Sequence, residues 1–138
     1  MAGRVLALGH VDIIGVLFAL SILLWIPSHI LTLIMYHAKD YAKARIPVWP
    51  NQYGFTATRR LIAAATLLNA VVFTASGLLL DIQGTAMLCL LLLSILITGV
   101  AVWCTLSPHE RHDFMLFKAA SLYMLFSFAL LTAGALMR

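Results

Sequence analysis

Residues 61–106 read LIAAATLLNAVVFTASGLLL-DIQG-TAMLCLLLLSILITGVAVWCTL. Neither Leu61–Leu80 nor Thr85–Leu106 contains a charged residue. Each is about as long as the 20 or so apolar residues that carry a helix across a bilayer. The connection Asp81-Ile82-Gln83-Gly84 is too short for anything but an antiparallel helical hairpin. Working outward, Asp12–Tyr36 and Phe114–Met137 are two further runs of spanning length. The expectation is an all-α membrane protein with four transmembrane helices (about 12–36, 61–80, 85–106 and 114–137), forming a single domain over residues 1–138.

The whole composition agrees. Hydrophobic residues make up 63% of the 138 and charged residues 10%, with a mean hydropathy of +1.02. Ordinary soluble domains run at roughly 45–50% apolar and about 25% charged. Too little polar surface is left to cover a water-soluble globule, and the apolar content excludes disorder. A net charge of +4 on so few charged residues does not describe a nucleic-acid protein. Cys89 and Cys104 both lie in apolar runs, which excludes a disulfide framework or a zinc ribbon. No secretory signal is expected, because the first apolar run is long and no small-residue cleavage site follows it. The chain has no low-complexity segment and no internal repeat.

Lys and Arg in the connections set the expected orientation. Lys39, Lys43, Arg45, Arg59, Arg60, Arg111 and Lys118 lie on one side; Arg4 and Arg138 lie on the other. Both termini are therefore expected outside, with the stretches 37–60 and 107–113 in the cytoplasm. Trp25, Trp49, Trp103, Tyr36, Tyr41 and Tyr53 fall mostly near these boundaries, as interfacial aromatics do. Within 37–60, the Ala-rich run Tyr41–Arg45 can prolong the first helix until Pro47 and Pro50 end it. Asn51–Gly54 then reads as the connection to a helical turn before Arg59.

The polar residues of the first helix form a stripe. His29, Thr32, Tyr36 and Asp40 are spaced 3, 4 and 4 apart, with Trp25 four residues earlier on the same face and Pro27 expected to kink the helix. The stripe ends on a carboxylate among Lys39, Lys43 and Arg45. That combination suits a metal-bridged diphosphate, with Asp40 on Mg²⁺ and the cations on phosphate oxygens. It equally describes a positive-inside loop with one neutralising acid. His29 has two readings as well, a hydrogen bond across to another helix or a role at a ligand. Thr66, Asn69, Phe73 and Ser76, like Ser94, Thr98 and Gly99, read as interhelical packing through small and polar groups. The cluster His109-Glu110-Arg111-His112-Asp113 reads as the start of a helix carrying acids, rather than a metal site. Only His29 lies well inside a span, so no pair of axial haem ligands is available. Asp12 and Asp81 sit at span ends, where a proton-coupled carrier would need a buried acid.

Trp25, Pro27, His29, Asp40, Tyr41, Ile46, Pro47, Pro50, Gly54 and Arg59 together resemble the second signature of the UbiA-type intramembrane prenyltransferases. The resemblance is nearest to the branch that farnesylates protoheme IX. Upstream, Gly3, Gly9 and Asp12 fit the approach to this helix. Ser28, Arg45, Trp49 and Asn51-Gln52-Tyr53 depart from that branch, which leaves a related enzyme with a quinone-type aromatic acceptor as an alternative. The first acidic signature of the family, Asn-Asp-x-x-Asp, does not occur among Asp12, Asp40, Asp81, Glu110 and Asp113. The resemblance thus implies the C-terminal half of the family fold, helices six to nine of nine, as a truncated reading frame, a fragment or one subunit of a split enzyme whose complementary N-terminal half is a separate polypeptide.

It further implies a Mg²⁺-dependent transfer of an isoprenyl group from a prenyl diphosphate to a hydrophobic acceptor, either haem or an aromatic ring. Asp40 would hold the metal, Tyr41 would hydrogen-bond the diphosphate, and Lys39, Lys43 and Arg45 would face it. His29, Thr32 and Tyr36 would line the cavity for acceptor or prenyl chain. The implied setting is a prokaryotic cell membrane with the 37–60 loop cytoplasmic, and no nucleic-acid partner. The rival expectation is a non-catalytic membrane interaction protein, a degenerate half retained for packing against a partner.

Overall fold

The computed structural model describes residues 5–6 and 9–136. Arg4 and Arg138, the two cations assigned to the opposite side, lie outside the described residues, as do Gly3 and Met137. Six helices of five residues or more follow in order among the described residues: α1 Ile13–Tyr36, α2 Ala38–Lys43, α3 Trp49–Tyr53, α4 Phe55–Leu79, α5 Thr85–Leu106 and α6 Glu110–Leu136. Four of them, α1, α4, α5 and α6, are long and apolar enough to cross a membrane, and the chain is an all-α membrane protein. They pack in a ring in which α1 touches α4 and α6, and α5 touches the same two from the other side.

Two spans begin earlier than expected. α4 starts at Phe55 instead of Leu61, and α6 starts at Glu110 instead of Phe114. Charged residues had marked those stretches as connections. Charges are nevertheless welcome on the first turns of a membrane helix, where long side chains reach the interface. The expected helix stop at Pro47 and Pro50 is also different. α2 closes first, on Arg45 at φ +56°, and Pro50 occupies the second position of α3, where a proline's missing N–H goes unnoticed. Asn51–Tyr53 is helical, and Gly54 alone makes the break, at φ +86° and ψ 157°, a region open essentially only to glycine. α1 runs through Pro27 without interruption and ends at Tyr36.

Both α2 and α4 end in a Schellman motif. Ile46 N–H donates to Tyr41 O and Arg45 N–H to Ala42 O; Ile82 N–H donates to Gly77 O and Asp81 N–H to Leu78 O. In each case the residue usually given to glycine is instead Arg45 or Asp81, both at positive φ. Ile82 then turns inward and is buried against Gly134 of α6, where a Cβ would stand 2.8 Å from Ile82 Cγ2. The hairpin is thereby plugged into the bundle.

The interior combines apolar and hydroxyl groups. Phe73 is fully buried and meets the edges of Tyr123 and Phe128. The buried residues of α5, Leu90, Ser94, Ile97, Ala101 and Cys104, recur at spacings of 4, 3, 4 and 3, which is one helix face. Ser28 and Thr66 hydrogen-bond between α1 and α4 at 2.8 Å, and Ser94 and Tyr123 between α5 and α6 at 3.1 Å. Such hydroxyl contacts hold membrane helices together where lipid removes the hydrophobic drive to associate.

Candidate functional site

The polar residues of α1 divide over two neighbours. Ser21, Ser28, Thr32 and Met35 are buried. Thr32 returns its hydroxyl to Ser28 O at 2.6 Å, so its Oγ–H is used locally. His29 and Tyr36 lie instead on α6. The His29 ring sits between Trp25 (centroids 4.2 Å apart) and Phe117 (4.5 Å), both stacked on it. Its Nδ1 is 3.1 Å from Ser121 Oγ, and that hydroxyl donates its single hydrogen to Phe117 O. Toward the end of α1, Tyr36 lies over Phe114 at 4.9 Å, and Phe114 also receives Lys118 Nζ at 4.8 Å. The result is an aromatic seam between α1 and α6 with one histidine inside it.

Asp40 is not on this helix. α1 stops at Tyr36, His37 interrupts it, and Asp40 stands in the first turn of α2. Its side chain is 73% exposed, 3.7 Å from Lys43 Nζ and 3.8 Å from His37 Nδ1. Lys39 and Arg45 are exposed on the same short segment, and Tyr41 is half-buried. Asn51 ties the segment down by donating to Ala38 O at 3.1 Å. The structure thus groups Asp40 with Lys39, Lys43 and Arg45 around α2, groups His29 with Tyr36 on α6, and places Thr32 in the core. Among the described residues, no three His, Cys, Asp or Glu side chains come together as a metal site.

The strongest polar contact was not anticipated from the sequence. Arg59 donates from Nε to Asp113 Oδ1 at 2.9 Å and from Nη2 to Asp113 Oδ2 at 2.6 Å. With the side chains only 12% and 6% exposed, this forked pair joins α4 to α6 across the ring. The available signal was an arginine and an aspartate at the same end of two spans, each beside apolar sequence. Phe117 and Ser121 were missed for a similar reason, since residues 114, 117 and 121 gain meaning only once α6 is laid against α1.

Comparison with known proteins finds relatives that match part of their own length. A protoheme IX farnesyltransferase of Korarchaeum cryptofilum is 37% identical over 98 residues, covering 71% of this chain and 32% of that protein. One from Methylobacterium nodulans is 43% identical over 70 residues, covering 51% of this chain and 22% of the relative. One from Coxiella burnetii is 40% identical over 68 residues, covering 49% and 22%. This chain is a relative of the protoheme IX farnesyltransferases. The matched stretches span a third or less of those farnesyltransferases' own length. No family model matches the chain. No solved structure matches it. The farnesyltransferase likeness read from Trp25 to Arg59 agrees with these similarities, in a chain with four helices long and apolar enough to span a membrane.

Proposed function

We propose that the chain works as the C-terminal half of a UbiA-type prenyltransferase that transfers a farnesyl group from its diphosphate to protoheme IX, giving haem O. The similarity to farnesyltransferases carries this reading. The grouping of Asp40 with Lys39, Lys43 and Arg45 beside the aromatic end of α1 supports it. In the reaction, the allylic carbon–oxygen bond breaks with its electron pair leaving on the diphosphate, the π electrons of a haem vinyl group form the new carbon–carbon bond, and water adds to the resulting cation as a hydroxyl group, releasing a proton.

Mg²⁺ fits the segment. It is usually held through one or two carboxylates and substrate phosphates while keeping several waters, and Asp40 presents one water-facing carboxylate. When bound, the ion neutralises charge on the leaving diphosphate. The chain's own residues bind and orient. Lys39, Lys43 and Arg45 face the diphosphate, Tyr41 donates a hydrogen bond to it, and His29 and Tyr36 border the space for acceptor or prenyl chain, while Thr32, buried in the core, takes no part. The remaining acidic loop comes from a complementary N-terminal half. The loop around α2 faces the cytoplasm of a prokaryotic cell.

The test is Asp40→Asn in the native gene, read as haem O formation in isolated membranes. The expected outcome is loss of product with insertion and abundance unchanged. Full activity in the variant would end the metal-ligand assignment and favour a non-catalytic membrane interaction protein. Purification in mild detergent with mass measurement of whatever travels with the chain checks for the complementary half.

A further inference from the structure

α4 and α5 leave an open seam on the outside of the bundle. At the end carrying α2 and α3 it begins in a recess of about 230 Å³, lined by Thr56, Arg59, Arg60, Thr105, Leu106 and Pro108. Deeper in the bundle the same two helices border a trough of about 470 Å³, with Leu67, Val71 and Leu78 on one wall and Leu91, Ile95 and Thr98 on the other. The two spaces lie on one line. Arg60, Leu67, Val71, Thr74 and Leu78 are spaced 7, 4, 3 and 4 on α4, and Thr105, Thr98, Ile95 and Leu91 are spaced 7, 3 and 4 on α5. Both patterns keep one helix face. At 1.5 Å per residue, the trough starts about 10 Å below Arg60 and runs for about 17 Å.

The chemistry changes sharply along that line. Thr98 donates to Ser94 O at 2.7 Å, and Ser94 is bonded to Tyr123, so these hydroxyls of the trough are already used. Apart from Thr74, what remains of the lining is hydrocarbon. In the recess, Arg59 has two of its nitrogens committed to Asp113. Arg60 is exposed, and no carboxylate among the described residues pairs with it. Among the described residues, then, the Arg60 guanidinium stands without a carboxylate partner over a long apolar groove that opens where the acyl chains of a bilayer lie.

We propose that this seam binds an anionic membrane phospholipid, its phosphate on Arg60 and one acyl chain along the trough. Charge complementarity selects the head, and the length and apolarity of the groove select the tail. Basic pockets between membrane helices take acidic headgroups for the same reasons.

The test is native mass spectrometry of the detergent-purified protein, titrated with phosphatidylglycerol or with phosphatidylcholine of identical chains. Wild type should retain phosphatidylglycerol about fivefold better, the effect of one arginine near an anionic headgroup. Arg60→Gln should erase that preference. Val71→Trp fills the trough from a position 57% exposed, where folding is not at stake; it should lower retention of both lipids. Equal retention of the two lipids by wild type, or an undiminished preference in Arg60→Gln, would overturn the proposal. Inorganic diphosphate retained equally by wild type and Val71→Trp, with lipid displaced, would show a free-anion recess and also overturn it. So would a copurifying polypeptide or second copy that Val71→Trp releases.

Discussion

Arg59 and Asp113 show how much one pair of side chains can be asked to hold. Both are nearly withdrawn from solvent, and the forked geometry satisfies both carboxylate oxygens. Removing one partner leaves the other charge uncompensated in a poorly solvated place, so Asp113→Ala should destabilise the fold by about 3 kcal/mol. The double change Arg59→Met with Asp113→Leu should recover most of that, because it strands no charge. Unfolding in detergent by SDS titration would measure both; a double variant no better than the single would mean the pair contributes more than mutual neutralisation. Arg45 sets stability against function. It occupies the left-handed residue of the α2 Schellman motif, a conformation that costs a non-glycine residue about 1 kcal/mol. Arg45→Gly should raise stability by about that amount. If the guanidinium also faces diphosphate, the same variant should lose prenyl transfer, and only a paired measurement of melting and activity separates the two effects.

At the scale of elements, what could be read from sequence was the part governed by composition. The hairpin 61–106 carries no charge within either span, so its two helices are hard to mistake, and the start of α5 at Thr85 agrees. The starts of α4 and α6 were not readable in the same way. Their charged first turns look like connections in a linear sequence, and only the bundle shows Arg59 and Asp113 meeting across it. The stripe His29, Thr32, Tyr36 and Asp40 was legible as a periodicity, but not the break at His37 that moves Asp40 to α2. Helix spacing also could not say which neighbour each residue would meet. Gly134 is a comparable case, invisible until the hairpin folds back. A methyl added there would meet Ile82 Cγ2 at 2.8 Å, an atom held stiffly by branching at Cβ. Gly134→Ala should cost about 1–3 kcal/mol, as overpacking does. Adding Ile82→Ala should make the pair cost less than the sum of the two singles; strict additivity in the same SDS titration would place the Gly134 requirement elsewhere.

For the whole molecule, the distribution of charge along the bundle decides how it sits in the membrane. The end formed by α2, α3 and the starts of α4 and α6 carries Lys39, Lys43, Arg45, Arg59, Arg60, Arg111 and Lys118. The hairpin 80–84 at the other end has Asp81 and no Lys or Arg. Positive charge near span ends is retained in the cytoplasm during insertion, and the two short connections lie well within the range where that bias acts. The proposed chemistry needs the same arrangement, because a prenyl diphosphate must reach Asp40 and its cations from the water on that side. The expected topology places Gln83 outside and Lys43 inside. In intact cells a membrane-impermeant maleimide should label Gln83→Cys at once and Lys43→Cys only after permeabilisation. The labelling is read in a Cys89→Ser background, because Cys89 is exposed near the start of α5 whereas Cys104 is buried. Reversed labelling would place the Asp40 segment outside the cell and remove the route by which a cytoplasmic diphosphate could reach it.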